Sequence, residues 1–145
     1  MKVRDCMTRD VELVDPATTV QAAAEAMAKA DAGALPVGEN DRLVGMITDR
    51  DIAIRAIAAG KGLDCRVGDV MSTDVRYCFD DDDIADVLRD MGAEQVRRMP
   101  VISREKRLVG IISLGDIALH GAANQAGAAL SGIVRPGGEH SQTLH

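Results

Sequence analysis

Aromatic residues are almost missing from this 145-residue sequence, which has no tryptophan, one tyrosine (Tyr77) and one phenylalanine (Phe79). Without rings to stack on bases, a single-stranded nucleic-acid binder is disfavoured. Surplus positive charge is missing too: the formal net charge is −6, and an acidic chain repels phosphate backbones. No nucleic-acid partner is expected, although a local basic cluster could hold one small anion. Paired cysteines are lacking, since Cys6, Cys65 and Cys78 are odd in number and far apart. That excludes close-spaced zinc and redox motifs and predicts reduced, mostly buried thiols. No uncharged apolar run is long enough to cross a bilayer, and M-K-V-R-D-C leads into charge rather than the apolar stretch of a signal peptide. A soluble, cytoplasmic protein with no membrane partner is expected. No nucleophile and base pair, metal-ligand cluster or phosphate-cradling glycine loop stands out, so neither a catalytic residue nor a metal site is expected. His120, His140 and His145 fall at a helix end and in a tail, without partners at ligand spacing.

What is present is aliphatic and repeated. Hydrophobic residues are 46% of the chain, so a core must be built from Val, Ile, Leu, Met and Ala. Leu43 to Ile52, L-V-G-M-I-T-D-R-D-I, returns from Leu108 to Ile117 as L-V-G-I-I-S-L-G-D-I. Each copy has a Gly within an apolar run, then a hydroxyl residue (Thr48, Ser113) and an Asp three residues on (Asp51, Asp116). The pattern reads as strand, turn and helix start. S/T-x-x-D at such a place either caps the helix as a capping box or holds a polar ligand at a helix N-terminus.

The surroundings repeat as well. V-R-D-C-M-T (Val3 to Thr8) is echoed by V-G-D-V-M-S (Val67 to Ser72). Val11 to Val14 and Val75 to Phe79 are short strand candidates. Asp15 to Thr19 supplies turn and cap chemistry, and the aspartate run Asp80 to Asp83 suits a helix N-terminus through the macrodipole. Val20, Ala23, Ala24 and Met27, like Ile84, Val87, Leu88 and Met91, have the spacing of one apolar helical stripe. Gly33 and Gly92 are expected to end or follow these helices. A-L-P-V and R-M-P-V are strands whose prolines predict an edge or a strand start. Gly38 to Arg42 and Ile102 to Arg107 form hairpin loops, one residue longer in the second copy. Second helices are expected over about Arg50 to Ala59 and about Gly115 to Gly121, and Gly60-Lys61-Gly62 opens a linker. Beyond Ala122 the sequence predicts a weak helical extension to about Leu130 and disorder after Pro136.

These residues carry a resemblance. Paired h-P-V strands, each followed by the repeated motif and led by V-x-D-x-M, resemble a tandem pair of CBS domains, a Bateman module, over roughly residues 1 to 121. The fold class implied is α/β (α+β), with two pseudo-twofold-related β-α-β-β-α repeats in one module: 1–62, 63–121, then a partly disordered C-terminal extension, 122–145. Neither repeat is long enough to be expected to bury its sheet alone, and a pair sharing an interface would form two related clefts. The resemblance also implies a stand-alone regulatory, energy-sensing module. Its implied ligand is adenosyl-containing: AMP, ADP, ATP or S-adenosylmethionine, held in an inter-domain cleft with no required cofactor.

Residue by residue, the resemblance implies that Thr48, Asp51, Ser113 and Asp116 contact ribose hydroxyls and phosphate. A carboxylate accepts from both ribose hydroxyls, and a Ser or Thr hydroxyl adds a donor where helix N–H groups favour an anion. Val14 and Cys78, with the residues flanking Pro36 and Pro100, would sandwich a base, and Tyr77 would be the one stacking ring. Arg98, with Arg97 beside it, would supply phosphate charge at one site only, because Gly33 and Ala34 stand at the matching positions; both arginines equally suit a solvated strand edge. A homodimer is expected, because apolar second helices leave surface for a second module, and an unidentified protein effector would be controlled in trans. The alternative is a ligand-free structural dimer whose clefts are empty or filled by its own side chains.

Overall fold

The computed structural model describes residues 1–120 and 123–136. Gly121, Ala122 and the tail 137–145, with His140 and His145, lie outside the described residues, so the helix end at Gly121 and the disorder expected after Pro136 do too. The chain forms two compact units: Glu12–Val75, and Met1–Val11 together with the residues from Arg76 onward. Packing is thus staggered against the linear copies 1–62 and 63–121 by one leading segment each. In the first unit Met46 and Ser72 exchange both backbone hydrogen bonds at 2.9 Å; in the second Thr8 and Ile111 exchange theirs at 2.8 and 3.0 Å. Each leading segment therefore pairs with the motif strand of the other copy.

In the Glu12–Val75 unit, helix α1 (Val20–Ala30) starts where the Thr19 side chain accepts the Ala22 N–H and ends at Asp31 in a left-handed conformation. Val20, Ala23 and Met27 are buried, but Ala24 is exposed: the buried stripe is narrower than the sequence pattern suggests. Strands β1 (Ala34–Glu39) and β2 (Arg42–Thr48) pair antiparallel. Their connection is only Asn40-Asp41, at φ 54° and 63°, the two positive-φ residues of a type I′ hairpin, so the strands take up most of the expected five-residue loop. Val11 to Val14 does not form a strand; only Val14 bridges, in parallel with Val37. The chain bends immediately after it, because the Asp15 carboxylate takes the Ala17 and Thr18 N–H groups at 2.8 and 3.0 Å. Helix α2 (Asp49–Asp51) continues as a π-helical turn, Ile52–Ile57, and α3 (Val67–Val70) closes the unit.

In the other unit a 3-10 turn (Val3–Asp5) precedes β3 (Cys78–Phe79), α4 (Ile84–Glu94), β4 (Arg98–Ile102), β5 (Leu108–Ser113), α5 (Leu114–Leu119) and α6 (Ala123–Ile133). The sheet order is β3-β4-β5, with β3 parallel to β4 and β4 antiparallel to β5. Ile84, Val87, Leu88 and Met91 are all buried, as the stripe predicts. The aspartate run does more than face a helix end. Asp81 pairs with Arg104 at 2.8 Å, Asp82 accepts the Phe79 N–H at 2.9 Å, and Asp83 makes no side-chain cap. The Arg104 hydrogen bond holds the Asp81 carboxyl below the usual carboxylate range.

Three sequence expectations are corrected here. Pro100 sits inside β4, the central strand. It is tolerated because its cross-strand partner Ile111 directs both backbone groups to Thr8, so no N–H is needed toward β5, and β3 pairs only from Val101 onward. Pro36, by contrast, lies in β1, an edge strand of the two-stranded sheet as expected, opposite Met46, which bonds to Ser72. Gly92 lies within α4 rather than at its end, and α6 is a packed helix that runs past Leu130. A Cβ on Gly132 would come within 3.0 Å of the Gly92 carbonyl oxygen, so the helices meet backbone to backbone. Gln95, left-handed at the end of α4, donates its side-chain amide to the carbonyls of Gly132, Ile133 and Arg135 at 3.2, 3.4 and 2.7 Å. That satisfies terminal carbonyls a helix leaves open.

Candidate functional site

Each unit presents the same strand-to-helix junction. At the first, the Asp51 N–H donates to Thr48 Oγ1 at 3.0 Å, and Asp51 Oδ2 accepts the Thr48 N–H at 3.0 Å. At the second, Asp116 N–H to Ser113 Oγ is 3.0 Å and Ser113 N–H to Asp116 Oδ2 is 3.1 Å. Both are complete capping boxes, so one side-chain oxygen of each partner is committed to the helix start. The junctions are tied down from behind by matching bonds, Asp49 N–H to the Gly33 carbonyl and Leu114 N–H to the Arg97 carbonyl, both 2.9 Å.

The glycine of the repeated motif has a spatial reason. A Cβ on Gly45 would lie 2.8 Å from the Ser72 carbonyl oxygen, and one on Gly110 would lie 2.6 Å from that of Thr8. Glycine there lets the leading segment pair along the motif strand.

Arg98 is the cross-strand partner of Ser113. Paired residues share a face of the sheet, with Cβ atoms about 5 Å apart. Arg98 is exposed and its guanidinium has no hydrogen-bond or ion-pair partner among the described residues. The equivalent pair in the first unit is Ala34 and Thr48. Arg97 is exposed as well.

Val14, Pro36, Cys78 and Pro100 are all buried and fall in matched pairs. Val14 N–H donates to the Pro36 carbonyl at 3.3 Å, and Cys78 Sγ lies 3.9 Å from the Pro100 carbonyl oxygen. Burial pushes the Cys78 thiol up to about 12, with Asp82, Asp90 and Asp80 adding to it. Cys6 is also buried and its thiol is raised by burial, whereas Cys65 is half-buried; all three are free thiols. Tyr77 is exposed and packs edge-on to Phe79 at 5.9 Å, with Arg104 over the Phe79 ring at 4.0 Å. The structure thus assembles Val14, Pro36, Thr48 and Asp51 in one unit, and Cys78, Arg98, Pro100, Ser113 and Asp116 in the other.

Sequence reading alone does not single out Arg55, although its place four residues after Asp51 is the spacing of a helical ion pair. Its Nε lies 3.9 Å from Asp51 Oδ1, and its Nη1 donates to the Val70 and Met71 carbonyls at 3.2 and 3.3 Å. The second copy has His120 at this place, with Nδ1 2.6 Å from the Asp116 backbone carbonyl oxygen. Among the described residues no group of three or more His, Cys, Asp or Glu could hold a metal ion, and no helix is long and apolar enough to cross a membrane.

Known proteins share this architecture. The CBS domain family model matches residues 3–57 and 67–122. The CBS domain-containing protein YhcV of Bacillus subtilis is 41% identical over 132 residues, covering 90% of this chain and 94% of that one. Hypoxic response protein 1 of Mycobacterium tuberculosis is 45% identical over 119 residues, 81% of this chain and 82% of its own. The crystal structure of Hypoxic Response Protein I with two coordinated zinc ions has a TM-score of 0.76 at 43% identity, and the match covers 83% of this chain and 98% of that one. The structure of CBSX2 in complex with AMP has a TM-score of 0.74 at 26% identity, covering 86% and 98%. With both repeats matched and the junctions duplicated, the chain belongs to the CBS domain family as a tandem CBS pair.

Proposed function

We propose that this chain is a regulatory module that binds an adenosyl-containing ligand of the AMP, ADP, ATP or S-adenosylmethionine class and acts, as a homodimer, on a separate protein in trans. The observation that carries the reading is at Ser113–Asp116: Oδ2 of Asp116 is used by the cap, while Oδ1 has no hydrogen-bond or ion-pair partner among the described residues. One carboxylate can therefore hold the helix start and still accept from a ribose hydroxyl. Arg98, cross-strand to Ser113 and without a partner among the described residues, adds a cation for phosphate. The likeness to CBSX2, a protein solved with AMP, supports the ligand class. Binding regulates only through a difference in affinity between two arrangements of the module.

A second reading, a ligand-free interaction module, is favoured by two observations. Both capping boxes close without a ligand, and Ile54, Ile57 and Leu119 are apolar and exposed. Thermal unfolding with AMP, ADP, ATP and S-adenosylmethionine separates the two. A ligand at 100 times its dissociation constant adds about 2.7 kcal/mol of stability, an increment that Arg98→Ala should reduce for a phosphorylated ligand. Unchanged melting with every compound favours the ligand-free module.

A further inference from the structure

The two junctions share a capping box but differ in what lies beyond it. Arg55 reaches back from the π-helical turn to Asp51, while Nη1 is anchored on the last carbonyl of α3 and on its C-cap, Met71. Those carbonyls have no intrahelical partner and are otherwise left open. The guanidinium is thus held by two backbone carbonyls, with its charge 3.9 Å from Asp51 Oδ1 as an ion pair. Asp51 itself is largely covered, its side chain 14% exposed. At the second junction nothing of the kind occurs. His120 turns to a backbone carbonyl, α5 has no π-helical turn, and the strand carries Arg98 where the first has Ala34.

We infer that Arg55 closes the Thr48–Asp51 junction to a ribose by engaging the carboxylate oxygen a hydroxyl would need, so that each chain takes one adenosyl ligand, at Ser113–Asp116. This rests on the binding reading above. A ribose hydroxyl brings a neutral donor to the carboxylate. Arg55 offers a charge-charge attraction, and its retreat would also unpair two backbone carbonyls. Arg55 therefore closes the first junction, while Arg98 adds its cation at the second, and the choice between one and two ligands lies in Arg55.

Calorimetric titration with AMP tests this. The expected stoichiometry is one AMP per chain for the unmodified protein and two for Arg55→Gln, which keeps an amide donor but no charge. Asp51→Asn added to Arg55→Gln returns it to one. The reciprocal substitution His120→Arg, at an exposed site, should weaken AMP about tenfold by supplying the missing cation to Asp116, and it decides the matter if Arg55→Gln does not fold. Two AMP per unmodified chain, one per folded Arg55→Gln chain, or unchanged affinity in His120→Arg each overturns the inference while leaving the binding reading intact. No AMP bound to any of the proteins overturns both.

Discussion

Ser113 and Asp116 each hold the other's backbone N–H, at 3.0 and 3.1 Å respectively. Helix capping and ligand contact are therefore not exclusive uses of one pair, and substitutions can part them. Asp116→Ala removes the return bond and should cost about 1 kcal/mol of unfolding free energy without any ligand. Asp116→Asn keeps an oxygen for the Ser113 N–H and should retain most of that stability. Urea unfolding of the two variants checks it; equal losses would mean that the cap contributes nothing.

The motif glycines are predicted to be irreplaceable for packing rather than for conformation. Neither has a positive φ, yet an added Cβ would sit 2.8 Å from the Ser72 oxygen at Gly45 and 2.6 Å from the Thr8 oxygen at Gly110. Gly45→Ala and Gly110→Ala should each lose about 1–3 kcal/mol, the range for overpacking. Chemical denaturation gives the values.

Two glycines of α6 should answer in opposite directions. A methyl group added at Gly127 would meet nothing within 4 Å, whereas one at Gly132 would meet the Gly92 backbone at 3.0 Å. Gly127→Ala is expected to stabilise by about 0.5–1 kcal/mol through helix propensity, and Gly132→Ala to destabilise. A melting-temperature shift of the same sign in both would show that α6 does not pack on α4 through Gly132.

Alkaline pH should weaken the fold through Cys78. Its thiol titrates at about 12 when folded, against 9.0 for an ordinary cysteine. Between those values the unfolded chain releases a proton that the folded chain keeps, so the contribution present below about pH 9 is lost as pH rises toward 12. Cys78→Ala should flatten the decline in melting temperature between about pH 9 and 11. An unchanged slope would place the effect elsewhere.

The repeat makes the order of elements, the apolar helix stripes and both junctions legible, because those depend on local spacing: Ile84, Val87, Leu88 and Met91 fall on one face whatever the tertiary context. What spacing cannot give is set by contacts distant in sequence. Nothing local to Val3–Thr8 says that it pairs with Ile111, or that Gly110 exists to admit it. Pro100 reads as an edge residue in sequence because its escape from the hydrogen-bond ladder depends on Thr8. Gly92 reads as a helix end because its partner, Gly132, lies in what looks like a weak extension. At the site, Arg98 is legible as a cation, whereas Arg55 needs the carbonyls of Val70 and Met71 to be noticed.

The central claim is that the Asp116 carboxylate binds an adenosyl ligand while it caps α5. Its most direct measurement is AMP titration of the unmodified chain beside Asp116→Asn, followed by calorimetry. The account predicts saturable binding by the former and at least about tenfold weaker binding by the latter, a difference of about 1.4 kcal/mol, with both proteins equally folded. Equal affinity for AMP in the two proteins, or none in either, would contradict it.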